Sequence, residues 1–102
     1  YQNVKEAFET LFKPDKNYIV IKHSLMPDEI VKIHLHEKAN EWVVIDNGRF
    51  VAVVGNEEQA FDLKNETVSI IFPQGVKHTI RALVSISYYV IRDCEDESVY
   101  VE

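Results

Sequence analysis

Three histidines and one glutamate carry the spacing in this chain that could do chemistry. His34 and His36 are two residues apart, Glu41 follows after Glu37-Lys38-Ala39-Asn40, and His78 stands behind Pro73-Gln74-Gly75. On a β-strand, residues two apart point to one face, so the first two imidazoles share a side. Glu41 begins the next apolar run, and an antiparallel neighbour would set its side chain about 5 Å from a facing partner. The rigid turn at Pro73 would deliver His78 from a separate strand. Three neutral imidazoles and one carboxylate make a nitrogen and oxygen donor set suited to iron, manganese, nickel, copper or zinc. Burying the same four groups without a cation would be costly. The remaining histidine, His23, has no such partners in sequence and reads as a surface or hydrogen-bonded core residue.

The elements that must hold these residues are short. Val4, Phe8, Leu11 and Phe12 form one apolar stripe at helical spacing, which predicts a helix over about 3–12, ended by Pro14. The rest of the chain is a series of Val-, Ile-, Tyr- and Phe-rich runs broken by turn residues. Strands are expected near Tyr18–His23, Ile30–His36, Glu41–Asp46, Phe50–Val54, Gln59–Leu63, Thr67–Phe72, His78–Leu83 and Ser85–Arg92, with one more at Ser98–Val101. Asp46-Asn47-Gly48 is read as a hairpin turn, and Gly55-Asn56 and Lys64-Asn65 as turns of the same kind. So many short strands predict an all-β sandwich or barrel over about 17–93, within one domain spanning 1–102.

The two halves of the donor set also match a known pattern. His34-x-His36, four residues, Glu41, six residues and Gly48 fit the first cupin motif, HxH(x)4E(x)6G. Pro73-x-Gly75-x-x-His78 fits the core of the second, PxGxxH. In these residues the chain resembles a small single-domain microbial cupin. The resemblance implies a double-stranded β-helix, or jelly-roll, barrel with a short N-terminal helix. It implies one divalent transition metal (Fe, Mn, Ni or Zn) on His34, His36, Glu41 and His78. The sequence departs from the cupin pattern at Asp28, Thr67 and Ala82, where glycine, glycine and asparagine are usual. These are turn or support positions, and the ligands are untouched.

Strand periodicity assigns the faces. Lys32 is expected to point inward with His34 and His36, as the one charged neighbour of the metal, where it contacts an anionic ligand or snorkels to solvent at the barrel mouth. Val43, Ile45, Ile80 and Ala82 are expected inside, with Ile86, Tyr88 and Val90 from the last long strand. Tyr88 reads as a packed core residue, or one that offers its hydroxyl to a ligand. Ile33, Leu35, Trp42 and Val44 would face outward, where apolar groups need a cover. The N-terminal helix or a second subunit would supply it, and the resemblance to cupins, which commonly dimerise, points to a homodimer.

Composition narrows the partners. The 102 residues carry a formal net charge of −6, and the cations are scattered, which argues against nucleic acid. Asp93, Glu95, Asp96 and Glu97 read as a solvated terminal turn. Cys94 is the single cysteine, so no internal disulfide is possible, and its acidic neighbours disfavour a thiolate nucleophile. With no apolar run of membrane-spanning length and no signal-peptide pattern, the expected location is the cytoplasm and no membrane partner is expected.

A metal with four protein ligands keeps one or two open positions, so three uses stay open. One is a metal-dependent enzyme, of dioxygenase or isomerase type, acting on a small oxygenated metabolite such as a sugar derivative or a keto or organic acid. The second is a non-catalytic small-molecule or sugar-binding cupin. The third is a structural barrel with a stabilising metal.

Overall fold

The computed structural model describes residues 1–101. The expected domain span of 1–102 ends on Glu102, which lies outside the described residues. The elements are α1 (Val4–Leu11), β1 (Ile19–Leu25), β2 (His34–Leu35), β3 (Glu41–Ile45), β4 (Gly48–Val54), β5 (Glu57–Leu63), β6 (Val68–Phe72), β7 (His78–Ala82), β8 (Ile86–Arg92) and β9 (Val99–Tyr100). They form two antiparallel sheets with strand orders β1-β8-β3-β6 and β5-β4-β7-β2-β9. No helix among the described residues is long and apolar enough to cross a membrane.

Alternation along the strands produces the core. Val43 and Ile45 from β3, Phe50 and Ala52 from β4, Phe72 from β6, Ile80 and Ala82 from β7, and Ile86 and Tyr88 from β8 all bury between the sheets. Residues between them in sequence face out. Trp42, Val44, Tyr89 and Ile91 would be exposed on the first sheet, but α1 lies over them with Val4, Ala7, Phe8, Leu11 and Phe12. The Asn3 side chain caps α1 by accepting the Glu6 backbone N–H at 2.8 Å. The rings of Phe12 and Trp42 meet edge to face at 5.5 Å, and those of Phe8 and Tyr89 at 5.6 Å. The helix thus covers the middle of the first sheet, while Val20 and Ile71 on its edge strands and Ile33, just before β2, stay exposed.

Three local expectations need correction. Asp46-Asn47-Gly48 is not a hairpin turn, because β3 and β4 belong to different sheets. The chain turns a corner there, with Gly48 at φ +115°. Lys64-Asn65 likewise takes the chain from β5 in one sheet to β6 in the other, with Asn65 at φ +57°. Only Gly55-Asn56 closes a two-residue hairpin, joining β4 to β5 with Val54 opposite Glu57. Gly55 has φ +63°, as the first central residue of a type II′ turn requires.

The strand expected at Ile30–His36 is also shorter. Only His34–Leu35 is regular, with an isolated bridge from Ile30 to Arg81. Just before it Asp28 sits at φ +66°, the position where cupins carry glycine, and its N–H donates to the Ala82 carbonyl at 2.8 Å. Aspartate tolerates the left-handed region better than most residues, which accounts for the departure. The Thr79 hydroxyl donates to the Val31 carbonyl, drawing that segment out of a regular ladder.

Candidate metal centre

His34 and His78 are direct cross-strand partners, in β2 and β7. Glu41 is not on a hydrogen-bonded neighbour of β2, contrary to the sequence expectation. It opens β3 in the opposite sheet, between Phe72 of β6 and Arg92 of β8, and reaches the histidines across the barrel. The four donor atoms of His34, His36, Glu41 and His78 all lie within 4.8 Å of one another. That spread is on the scale of the about 4.2 Å between donors on opposite sides of a first-row ion.

Each ring is oriented by its surroundings. His34 Nδ1 lies 2.8 Å from the Lys32 carbonyl, and His78 Nδ1 lies 3.1 Å from the Val76 carbonyl. A carbonyl only accepts, so in both rings Nδ1 carries the proton and Nε2 keeps its lone pair. Phe72 stacks on His78 with ring centroids 4.1 Å apart. His36 Nε2 stands 3.0 Å from Glu41 Oε2, and His78 Nε2 stands 3.5 Å from Glu41 Oε1. Neither contact has hydrogen-bonding geometry. Both ring nitrogens of His36 and Nε2 of His78 are buried without a hydrogen-bond partner. An orphaned buried polar group costs about 1–3 kcal/mol. The two Nε2 atoms that flank the Glu41 carboxylate unpartnered fit a shared cation, and the donor set suits a divalent transition metal.

The loops are tied to one another. The Gly75 N–H donates to the His36 carbonyl at 2.7 Å, and the Gln74 N–H to Asn40 Oδ1 at 3.0 Å. The C-terminal acidic stretch also takes part, so the reading of it as a solvated turn is incomplete. Asp93 accepts the backbone and side-chain N–H groups of Asn40. Asp96 accepts the backbone N–H groups of Lys38 and Ala39. Those two carboxylates hold the segment that joins His36 to Glu41.

A cavity of about 200 Å³ opens onto His34, Glu41 and His78. Its walls are apolar, from Val31, Val43, Phe72, Ile80 and Val90 among others, and Tyr88 and Arg92 also line it. Tyr88 is buried, and burial first and then the charges of Glu41 and Glu29 push its hydroxyl well above the usual range, so it stays protonated. Lys32 does not line the cavity. The irregular backbone before β2 breaks the period of two, and Lys32 is exposed with Nζ over the Tyr100 ring, 4.9 Å from its centroid.

The charged neighbour of the centre is instead Arg92, whose Nε donates to Glu41 Oε2 at 3.0 Å. Continuing the inward alternation Ile86, Tyr88, Val90 by one step would have found it. The same alternation on β1, counted back from buried Leu25, puts His23 on the cavity side, where it lines the opening beside Tyr88 and stays exposed, as its surface reading expects.

Burial pushes the Glu41 carboxyl up, but His78, His36 and Arg92 outweigh it and hold the group below its ordinary 4.5. Burial, aided by the nearby His78 and His36, holds His34 below its ordinary 6.5 despite the opposing pull of the Lys32 carbonyl and Glu41. At both sites the unfolded chain therefore takes up protons first on acidification. For His34 the lost stability begins as pH falls through 6.5, and for Glu41 as it falls below 4.5. The urea midpoint of metal-free protein should accordingly drop steadily on acidification below 6.5. His34→Gln should flatten the upper part of that decline, and a wild-type midpoint that rose on acidification would contradict the arrangement.

No family model matches the sequence, and no curated protein is similar to it in sequence. Solved structures are similar in fold. A sugar phosphate isomerase of the cupin superfamily from Silicibacter pomeroyi is 18% identical with a TM-score of 0.69, covering 83% of this chain and 57% of that one. An oxalate oxidase in complex with the substrate analogue glycolate is 15% identical with a TM-score of 0.69, covering 82% and 46%. KdgF from Halomonas sp. is 14% identical with a TM-score of 0.65, covering 76% and 70%. This chain thus spans about half the length of the isomerase and oxidase chains. Two antiparallel sheets, in an arrangement shared with these proteins, give the chain the cupin jelly-roll fold.

Proposed function

We propose that this chain is a metal-binding cupin that acts on a small oxygenated metabolite through one divalent transition metal held by His34, His36, Glu41 and His78. The observation that carries this reading is the convergence of four donors, two of which, from His36 and His78, are buried without partners. When bound, the ion would supply Lewis-acid or oxygen-activating chemistry at its open positions. The chain's own residues do the rest. Glu41 holds the negative charge of the site, and Arg92 fixes one of its oxygens. Tyr88, kept protonated, can donate a hydrogen bond into the cavity. The apolar walls exclude water, and a volume of about 200 Å³ admits only a small ligand. The sugar phosphate isomerase and the oxalate oxidase of similar fold are named for small oxygenated molecules of this kind.

The same reading makes the chain one domain and a homodimer, with exposed Ile33, Val20 and Ile71 available for the contact. It places the protein in the cytoplasm, supported by a single exposed thiol, Cys94, with no partner for an internal disulfide. Elemental analysis of protein purified from its native host should find one divalent metal per chain, and light scattering of the same sample should give twice the chain mass. Protein that holds no metal and takes none up would overturn the functional reading, and a monomer would overturn the dimer.

A further inference from the structure

We propose that the cavity takes a small 2-oxo or 2-hydroxy carboxylate, with Arg92 as the residue that grips its carboxylate. This deepens the proposed function and rests on the metal centre described there.

The first argument is the placement of the guanidinium. Only Nε of Arg92 is engaged, on Glu41 Oε2, and its two terminal nitrogens make no hydrogen bond or ion pair among the described residues. Those nitrogens carry four N–H donors in a planar fork that matches a carboxylate. The side chain borders the cavity on one side and a groove with Glu37, Glu95, Asp96 and Glu97 on the other. Its ion pair goes to Glu41, which ties the guanidinium through Nε to a residue of the metal centre.

The second argument is charge. Glu41 and Arg92 cancel each other, and the three ligand imidazoles are neutral when they bind an ion. A divalent cation therefore leaves the cavity with an excess of positive charge, inside a chain of net charge −6. An anion beside Glu41 meets both the ion and the guanidinium.

The third argument favours a ligand with few hydroxyls over a sugar. A sugar needs a partner for a hydroxyl on nearly every carbon, and each one buried without a partner is costly. Beyond the donor cluster, the polar lining is limited to Arg92, Tyr88, His23, Ser98 and Thr79, whose hydroxyl is already spent on the Val31 carbonyl, and the rest is apolar. A short carbon chain bearing oxygens only at one end suits this lining. An oxygen on the carbon next to the carboxylate would offer a bound ion a second donor, while the alkyl end would pack on the wall.

Calorimetry on the zinc-loaded full chain tests the assignment, with 2-oxobutanoate, its amide and butanoate as probes and zinc content measured on every sample. The wild type should bind 2-oxobutanoate more tightly than either other probe. Arg92→Gln should weaken 2-oxobutanoate at least about tenfold and leave the amide within about twofold, since only the charge-assisted pair is lost. Retained amide binding shows that the cavity is intact in the variant. Arg92→Lys keeps a cation beside Glu41, guarding against loss of metal or fold. With the fork gone, it should still weaken 2-oxobutanoate severalfold with zinc stoichiometric. If zinc is stoichiometric and both variants bind 2-oxobutanoate like the wild type, or the wild type binds the amide as well or nothing at all, the Arg92 assignment is overturned and the metal centre stands. A wild type that takes up no zinc overturns the metal centre itself, and the assignment with it.

Discussion

Replacing His36 with alanine should abolish stoichiometric metal uptake and, with it, all metal-dependent thermal stabilisation. His36 is 2% exposed, and neither of its ring nitrogens has a hydrogen-bond partner. It is the ring of the cluster with the least to do if no cation is present. Loss of an outer-shell partner typically costs about 10–100-fold in metal affinity, and loss of a donor itself should exceed that. An ion present at a hundred times its dissociation constant stabilises the folded state by about 2.7 kcal/mol. For a domain of about 100 residues that is a rise in Tm of about 10–20 °C. The wild type should show such a rise on adding zinc or manganese, and His36→Ala should show none. The metal-free variant should melt close to the metal-free wild type, because the packing lost with the ring is offset by removal of two unpaired buried nitrogens. A variant that kept both its metal and its zinc-dependent Tm would remove His36 from the centre.

How far this centre was legible in the sequence depends on which physical rule each residue obeys. His34, His36, Glu41 and His78 are fixed by local spacing, and the structure brings all four together. The route by which Glu41 arrives was not legible, because a short polar turn serves equally for a hairpin and for a corner between sheets. Asp46-Asn47-Gly48 shows the same ambiguity: a positive φ at Gly48 is compatible with both, and only long-range pairing of β3 with β8 decides. Lys32 was misplaced because alternation holds only while the ladder is regular, and the hydroxyl of Thr79, a residue 48 positions away, disturbs it. Arg92 obeyed the alternation fully and was legible one step further along its strand. The roles of Asp93 and Asp96 were not, since a carboxylate that binds backbone N–H groups of a distant loop looks in sequence like any solvated acid.

The corner at Gly48 carries the second large effect, on folding. Its φ of +115° lies outside the region that any residue with a Cβ adopts comfortably. A Cβ built there would stand 2.6 Å from Ile86 Cγ2. Ile86 is buried in the core and branched at Cβ, so its methyl cannot swing away. Backbone strain of about 1–3 kcal/mol and overpacking of about 1–3 kcal/mol therefore act together in Gly48→Ala. A loss of about 2–5 kcal/mol is expected, a large share of the roughly 5–15 kcal/mol that holds a domain folded. Gly75 separates the two causes, because it has φ +77° but nothing within 4 Å of a built Cβ. Gly75→Ala should cost only the strain, about 1 kcal/mol. Ile86→Ala removes the opposing methyl, so Gly48→Ala should cost less in that background than alone, and urea unfolding of the four proteins measures the difference as a coupling energy. Equal costs in the two backgrounds would show that strain alone requires glycine at this corner. A Gly48→Ala protein as stable as the wild type would show that the first motif's last position is not held by geometry at all.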